Sequence, residues 1–321
     1  MADLVDLIAT EPPADWGVVV DHAAIDALAD SWASDEFLLP AFDYPGTPAH
    51  RDEAWWFDYV TLATSVLACL WPPEGDEVWH VPLDDGSLVD DAPAIFRTFT
   101  RAMNADGLDL GTFASMSDED GQAFFAGHGT LQLVDQRTEL LRRVATAIIE
   151  RWDGTVRNLV DDAGRQGEGI VERLIDTMPG YLDRPETSAG VLPFDKLAHL
   201  GAAIMAAGVG WGDAGFAGYD DFPVYPDYML PRVLRHVGVL VYSPDLADAI
   251  DARRIIPEDS PHEHALRWGT VHAGAALRGA LHERGNAVTA PALDYRLWSE
   301  AVLGPDAAAF GEHHRTITMR Y

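Results

Sequence analysis

The sequence contains the stretch Tyr225-Pro226-Asp227-Tyr228-Met229-Leu230-Pro231-Arg232-Val233-Leu234, which predicts an aromatic loop followed by a helix. Pro231 suits the first helical turn, where a missing N–H costs no hydrogen bond. Gly238 suits the end of that helix. We expect Asp227 just before the helix, near the positive end of the helix dipole, which favours an ionised carboxylate. Two other stretches share this mixture of aromatic, acidic and apolar residues: Phe194-Asp195-Lys196-Leu197-Ala198 and Leu293-Asp294-Tyr295-Arg296-Leu297-Trp298.

The composition describes an acidic protein with enough apolar content for a sizeable core. The chain has 321 residues, of which 48% are hydrophobic, and its formal net charge is -30. Such a surface repels polyanions, so duplex DNA and long RNA are not expected partners. Most individual carboxylates are expected to be solvated surface groups.

The basic residues are almost all arginine. Of the 22 basic residues, 21 are Arg, and Lys196 is the one lysine. An ammonium is a compact point charge, whereas a guanidinium is a flat fork, so the two are not interchangeable. Lys196 is therefore either a functional ammonium or an ordinary residue near the start of a helix.

Cysteine content and termini indicate a soluble cytoplasmic protein. Cys69, the one cysteine, cannot form an internal disulfide and lies in an apolar run, which predicts a buried, inert thiol. Residues 1–6 lack the basic and apolar segments of a signal peptide. The longest apolar stretch, residues 197–211, is too short to span a bilayer and is interrupted by His199.

Helical periodicity dominates the chain, so we predict an all-α fold with a minor β-hairpin, in a single domain covering residues 1–321. The hairpin is predicted from Glu77-Val78-Trp79-His80-Val81 followed by Asp85-Gly86. Helices are predicted over residues 137–152, 168–178, 194–207 and 262–284. Three more helices are predicted: one follows an extended segment at residues 18–20, one begins at Ser243-Pro244 and one begins at Pro291. The Gly-rich segment 208–226 is predicted to be a long loop whose aromatic side chains either stack on a flat ligand or fill the core.

The last predicted helix carries an acid among apolar neighbours. Asp294 shares a helical face with Trp298, and Tyr295 shares one with Ser299, because residues four apart lie one above the other. A partly buried carboxylate needs a partner or has a chemical task. The alternative is a capping role, since acids are common near helix starts.

The histidines do not form a recognisable metal motif. No pair of histidines lies four apart around a glutamate, and His262 and His264 are expected at an exposed helix start beside Pro261. The sequence also lacks the phosphate loop, the dinucleotide fingerprint and the nucleophile elbow. We therefore expect no metal and no cofactor.

Several of these residues occur in an order and spacing that resemble a known family. The segments are Met178-Pro179-Gly180-Tyr181, Phe194-Asp195-Lys196-Leu197-Ala198, Pro226-Asp227-Tyr228-Met229-Leu230-Pro231, Asp294-Tyr295-Arg296-Leu297-Trp298 and the chain end His314-Arg315-Thr316-Ile317-Thr318-Met319-Arg320-Tyr321. From about Trp16 to Tyr321 the chain is similar to the queuosine-salvage proteins, which act as queuosine 5′-monophosphate N-glycosylases.

The resemblance implies a helical fold like that of helix-hairpin-helix DNA glycosylases and the release of queuine from the nucleotide, leaving ribose 5-phosphate. We separately expect a monomer. The resemblance places Tyr225 and Asp227 on the base, and Asp294 at the reaction centre as nucleophile or transition-state stabiliser, with Tyr295 beside it. Lys196 is the candidate cation for the phosphate. Some relatives carry a second acid where Ser299 stands, and many carry Phe where Tyr225 stands.

The expected chemistry explains why carboxylates are needed. Cleavage of an N-glycoside develops positive charge on the ribose, which a neighbouring carboxylate stabilises. Queuine is a 7-deazaguanine with carbon in place of N7, so protonation at that position cannot assist departure of the base. Two other functions remain open: a glycosylase acting on nucleic acid, and a non-catalytic helical protein that binds queuine or its nucleotide.

Overall fold

The computed structural model describes residues 8–48, 51–104, 107–304 and 307–321. Residues 1–6, which lack a signal-peptide pattern, lie outside these ranges. Within them the chain forms thirteen α-helices and three two-stranded antiparallel sheets. The prediction of a mainly helical fold with a minor hairpin is confirmed, whereas the likeness to helix-hairpin-helix glycosylases stays a prediction. Across the described residues, no helix has both the length and the apolar character required to cross a bilayer.

The helices are α1 His22–Trp32, α2 Glu53–Ser65, α3 Asp91–Ala102, α4 Leu110–Ala114, α5 Asp118–Phe124, α6 Val134–Arg151, α7 Val156–Asp162, α8 Gly167–Thr177, α9 Lys196–Val209, α10 Met229–His236, α11 Pro244–Asp251, α12 Pro261–Glu283 and α13 Ala290–Val302. The strands are β1 Val18–Val20, β2 Val81–Pro82, β3 Leu88–Val89, β4 Glu186–Thr187, β5 Gly190–Val191 and β6 Leu240–Tyr242. The sheets pair β1 with β6, β2 with β3, and β4 with β5.

The chain divides into two compact units, each assembled from separate stretches. Unit 1 comprises Met1–Pro40, Asp183–Lys196 and Gly218–Ile317, and unit 2 comprises Ala41–Leu182, Leu197–Ala217 and Thr318–Tyr321. The single domain over residues 1–321 stays a prediction. All of the candidate site residues belong to unit 1.

Unit 1 is built around the long helix α12. Asp21 begins α1 by accepting hydrogen bonds from the backbone N–H groups of Ala23 and Ala24, at 2.9 and 3.1 Å. Helix α1 and strand β1 pack on α12, and α10 packs on α13. Helix α10 ends where Gly238 adopts a φ of +78°, a conformation that glycine adopts without strain. These contacts confirm the local starts and stops predicted from the sequence.

Unit 2 has an aromatic core around α2. Trp56, Phe57 and Tyr59 on this helix have no solvent exposure, and Cys69 is equally buried. Burial raises the pKa of the Cys69 thiol, which fits the predicted inert cysteine. The core is completed by α6 and α7, which both pack against α2.

Three local predictions differ in detail from the structure. The hairpin strands are β2 and β3, which lie closer to the turn than the predicted segment 77–81, because Leu83 and Ser87 close the turn. The helix predicted over residues 137–152 begins earlier, at Val134, and its Ile149 is 41% exposed whereas Ile148 is buried. Helix α9 begins at Lys196 and not at Phe194, because Asp195 takes a positive φ of 42°.

Candidate active site

Asp294 is buried on α13, in its second turn. Its side chain is 8% exposed. Its Oδ1 accepts a hydrogen bond of 2.7 Å from the backbone N–H of Tyr225. The partner therefore comes from a loop 69 residues earlier in the chain. Asp294 therefore binds a backbone N–H of a distant loop, and this contact is not a cap of its own helix.

The environment of Asp294 opposes ionisation. Burial raises the pKa of Asp294 well above its ordinary value, and the nearby Asp227 raises it further. The Tyr225 amide and the Lys196 ammonium lower that pKa, but they do not offset the loss of water. A buried carboxylate whose ionisation is opposed further by a second acid nearby is typical of acid–base sites.

Asp227 begins α10 and is partly exposed. Its Oδ1 accepts hydrogen bonds from the backbone N–H groups of Met229 at 2.7 Å and Leu230 at 3.0 Å. This confirms the predicted position just before the helix. Burial raises the pKa of Asp227, whereas Lys196 and the two amides lower it. The side chain thus caps a helix and contributes charge to the site.

Lys196 joins the two acids electrostatically. It is the first residue of α9, it is 5% exposed, and its positive charge lowers the pKa of both Asp227 and Asp294. A buried ammonium is retained where carboxylates balance its charge. Lys196 is thus buried beside the two acids. It is not a solvent-exposed residue of the first helical turn.

Tyr225 brings a buried aromatic side chain to the same place. It is 3% exposed, and its hydroxyl has no hydrogen-bond partner among the described residues. Burial raises the pKa of Tyr225 well above its ordinary value, and the charges of Asp294 and Tyr219 add to this shift. Its phenol is therefore a neutral group. It can donate one hydrogen bond to a ligand or a water molecule.

The aromatic loop mainly fills the core. Phe216, Tyr219 and Phe222 are each less than 5% exposed. Tyr219 and Phe222 contact each other, with ring centroids 5.0 Å apart. Of the two alternatives for this loop, core packing accounts for these three rings.

Tyr295 and Ser299 lie on a different face of α13 from Asp294. Both line a pocket of about 280 Å3 that Asp294 does not line. The other lining residues are Glu36, Phe37, Leu38, Ala292, Arg296 and Leu303. The Ser299 hydroxyl is shielded from solvent and has no hydrogen-bond partner among the described residues. The predicted site residues therefore fall into two groups, one around the two acids and one in this pocket.

Sequence reasoning did not single out Arg267, which has no solvent exposure. Its guanidinium contacts the Asp183 carboxylate and lies 3.3 Å from Glu263 Oε1. It also donates a hydrogen bond of 3.3 Å to the carbonyl of Pro226, between Tyr225 and Asp227. The one sequence signal was the four-residue spacing of Glu263 and Arg267, which predicts an ion pair along a helix.

Two side-chain clusters have the composition of metal sites. Glu11, His22 and His272 bring ligand atoms within 4.8 Å of one another, as do Asp259, Glu263 and His264. In the first cluster His22 pairs with Glu11 at 2.9 Å, and in the second His264 lies 3.5 Å from both acids. His264 is 3% exposed, so the expected exposed position for this residue is wrong: its ring packs against Trp16, 6.1 Å away.

Comparison with known proteins places the chain in a family. A family model described as queuosine salvage protein matches residues 48–321. A protein of Sphaerobacter thermophilus is 28% identical over 308 residues, which is 95% of this chain and 93% of that protein. A mouse protein is 25% identical over 327 residues, covering 95% and 94%, and a Dictyostelium discoideum protein is 24% identical over 266 residues, covering 82% and 77%.

All three relatives are named queuosine 5′-phosphate N-glycosylase/hydrolase. The family model covers most of the chain, including every residue of the candidate site described above. The protein belongs to the queuosine salvage protein family.

Proposed function

We propose that this protein hydrolyses the N-glycosidic bond of queuosine 5′-monophosphate and so releases queuine and ribose 5-phosphate. Family membership and the names of the three relatives support this activity. The single observation that carries the proposal is that Asp294 is buried beside the partly exposed Asp227 and beside the one lysine of the chain.

Asp294 stabilises the positive charge that develops on the ribose, as a counter-charge or as a nucleophile. For this it must be ionised, which burial opposes by raising the pKa of Asp294. The aminomethyl substituent of queuine is cationic, and an opposite charge nearby favours the carboxylate. A bound cationic substrate therefore favours the ionised form of Asp294.

Asp227 and Tyr225 hold the base. The two backbone N–H groups that donate to Asp227 both bind its Oδ1. Among the described residues, its Oδ2 therefore remains to accept hydrogen bonds from donors on the base. The Tyr225 hydroxyl supplies a further polar contact within the same buried region. Because protonation at N7 is impossible in a 7-deazaguanine, hydrogen bonds to the rest of the base take over the task of stabilising the leaving group.

Lys196 binds the 5′-phosphate and balances the acids. The protein has a net charge of -30, which opposes binding of an anion, so a local cation is required. The ammonium already lowers the pKa of both acids, which places it within electrostatic range of any ligand held between them. Tyr295 and Ser299 contact the substrate from the pocket on the neighbouring face of α13.

The substrate is a free nucleotide, and the protein works as a cytoplasmic monomer without a cofactor. The net charge of -30 argues against polyanionic substrates such as tRNA.

The test is to incubate the purified protein with queuosine 5′-monophosphate, with queuosine and with queuosine-containing tRNA, and to follow free queuine by mass spectrometry. We expect release from the monophosphate and none from the tRNA. Release from tRNA with a steep dependence on salt would instead support a nucleic-acid glycosylase. Tight binding of queuine without any release would support a non-catalytic binding protein.

A further inference from the structure

Arg267 lies in the N-terminal third of α12 and contacts two of the segments that build the site. Its guanidinium is fully buried and pairs with Asp183 and with Glu263. It also lies over the ring of Phe194, 4.0 Å from the ring centroid. The charge of Arg267 serves the two ion pairs, its planar group stacks on Phe194, and its several N–H donors reach separate acceptors. Among the side chains, only arginine combines these three properties.

The first contact runs to the loop that carries the base-binding residues. Arg267 Nε donates to the Pro226 carbonyl at 3.3 Å. The neighbouring residue Tyr225 donates its backbone N–H to Asp294 at 2.7 Å, and Asp227 follows directly. The guanidinium therefore restrains the peptide that sets the distance between Asp227 and Asp294.

The second contact runs to the segment that carries the lysine. Asp183, the ion-pair partner of Arg267, accepts backbone hydrogen bonds from Phe194 at 3.1 Å and from Asp195 at 3.2 Å. Its own backbone N–H donates to Asp195 Oδ1 at 3.0 Å. These bonds hold Asp195 at a φ of +42°, and the next residue is Lys196. A non-glycine residue keeps such a backbone only where its surroundings enforce it.

We infer that Arg267 is a positioning residue for the glycosidase reaction, which holds the Tyr225–Asp227 peptide and Lys196 in place relative to Asp294. The inference rests on the proposed function. Arg267 itself does not touch the substrate in this account. It acts through the Pro226 carbonyl on one side, and through Asp183 and the Phe194 ring on the other.

The sharpest variant is Arg267→Lys. Replacement by Ala would leave Asp183 and Glu263 buried without their cation, and loss of one partner from a buried ion pair is strongly destabilising. Lysine keeps the positive charge but loses Nε, the planar fork and the stacking on Phe194. The variant therefore removes the geometry and keeps the charge.

Unit 2 supplies a matched control, because Arg137 is also fully buried. It donates to the backbone carbonyls of Gln132 at 2.9 Å, Ala68 at 2.5 Å and Cys69 at 3.1 Å. Arg137→Lys is therefore an identical substitution at an equally buried arginine. None of these three carbonyls belongs to a segment that carries a candidate site residue.

The experiment measures kcat and KM for queuosine 5′-monophosphate, together with the melting temperature, for the wild type and both variants. At a temperature where all three are folded, we expect Arg267→Lys to lower kcat about 10- to 100-fold with a smaller change in KM, because a misplacement of reacting groups by about 1 Å can cost about 100-fold. Arg137→Lys should lower the melting temperature and leave kcat unchanged.

Equal kcat in Arg267→Lys and the wild type would overturn the positioning role. An equal loss of kcat in both lysine variants would overturn it as well, since the loss would then reflect stability. If Arg267→Lys does not fold, Asp183→Asn tests the same arm, and an unchanged kcat in that variant again contradicts the inference. A wild type that releases no queuine would overturn the proposed function itself, which the two variants cannot do.

Discussion

Both units of this protein bury an arginine completely, and the two arginines have different neighbours. Arg137 in unit 2 donates to carbonyls of the backbone around Cys69, which ties a loop to a helix. Arg267 in unit 1 pairs with Asp183 and Glu263 and also reaches the loop that carries Asp227. Burial of a charge is therefore no sign of function by itself, and the partners of the charge must be considered.

Buried acids differ between the units in the same way. In unit 2, burial raises the pKa of Asp58 to about 6, and the carboxylate binds the Val156 amide at 2.6 Å at the start of α7. In unit 1, Asp294 is buried, and the partly exposed Asp227 lies close enough to raise its pKa. A lone acid at a helix start needs no explanation beyond the cap, whereas a pair beside a lysine is typical of a reaction site.

The largest effect is expected from Asp294→Asn. The amide oxygen can still accept from the Tyr225 N–H, but the negative charge that stabilises the ribose cation is lost. We expect queuine release to fall on the order of 1,000-fold, with queuine still bound. Release at the wild-type rate, measured by mass spectrometry, would remove Asp294 from the mechanism.

The same variant should be more stable than the wild type. The pKa of Asp294 is higher in the folded than in the unfolded protein. Its contribution to the free energy of unfolding is therefore fully present below the unfolded pKa of about 4, and it is lost as the pH rises toward the folded pKa. Asparagine has no charge to bury. At neutral pH the melting temperature should therefore rise, and a fall would mean that Asp294 is ionised and paired.

Asp227→Asn is the second test, directed at base binding. Asparagine retains an oxygen for the Met229 and Leu230 amides and loses the charge. We expect queuine affinity, measured by calorimetry, to weaken by about 2 kcal/mol. Asp227→Ala should cost about 1 kcal/mol more in stability, because the helix cap is also lost. Unchanged queuine affinity in both variants would contradict a base contact.

Lys196→Met probes the cation. Loss of the ammonium should lower kcat/KM for the 5′-monophosphate about tenfold more than for the nucleoside, since one charge-assisted hydrogen bond is lost. Equal losses for the two substrates would refute a phosphate role.

The pH profile of Lys196→Met separates phosphate binding from charge balance. Activity requires ionised carboxylates, so it falls as pH drops through their raised pKa. Lys196 lowers the pKa of both Asp227 and Asp294, so its removal should move this acidic limb of kcat/KM to higher pH. An unmoved limb would mean that the lysine does not influence the acids in solution.

Asp58→Asn is the comparison in unit 2 and should have the smallest effect on turnover. We expect kcat to stay at the wild-type value. The folded pKa of Asp58, about 6, lies above the unfolded value of about 4. The wild type should therefore lose stability as the pH rises from about 4 to about 6. The variant should lack this loss, which thermal melts at pH 4 and pH 6.5 can measure. A change in kcat would show that the distinction between the two units is wrong.

Much of the local structure could be predicted from the residues alone. Ser243 and Asp227 accept backbone N–H groups at helix starts, and both helix starts were predicted from the residues that precede an apolar pattern. Such signals lie within a few residues of each other. The start of α9 was misplaced by two residues because Phe194 and Asp195 donate backbone hydrogen bonds to the carbonyl of the distant Asp183.

The site could be predicted in part. The pairing of an aromatic residue and an acid before α10, and an acid on an apolar stretch of α13, drew attention to Tyr225, Asp227 and Asp294. Arg267 was missed because its partners lie 41 and 84 residues away in the chain. No periodicity connects residues at such distances. The helical spacing already placed Tyr295 with Ser299 and Asp294 with Trp298, and only the family resemblance grouped Tyr295 with Asp294.

The sequence by itself determined which segments are helical, where several of them begin and end, and which acids lie among apolar residues. Those properties depend on side-chain spacing and on hydrogen bonds between near neighbours. The tertiary structure alone decided that Lys196, Asp227 and Asp294 share one electrostatic environment and that Arg267 restrains the segments around them. The pKa of each acid follows from burial and from charges brought close by packing, and neither is a property of local sequence.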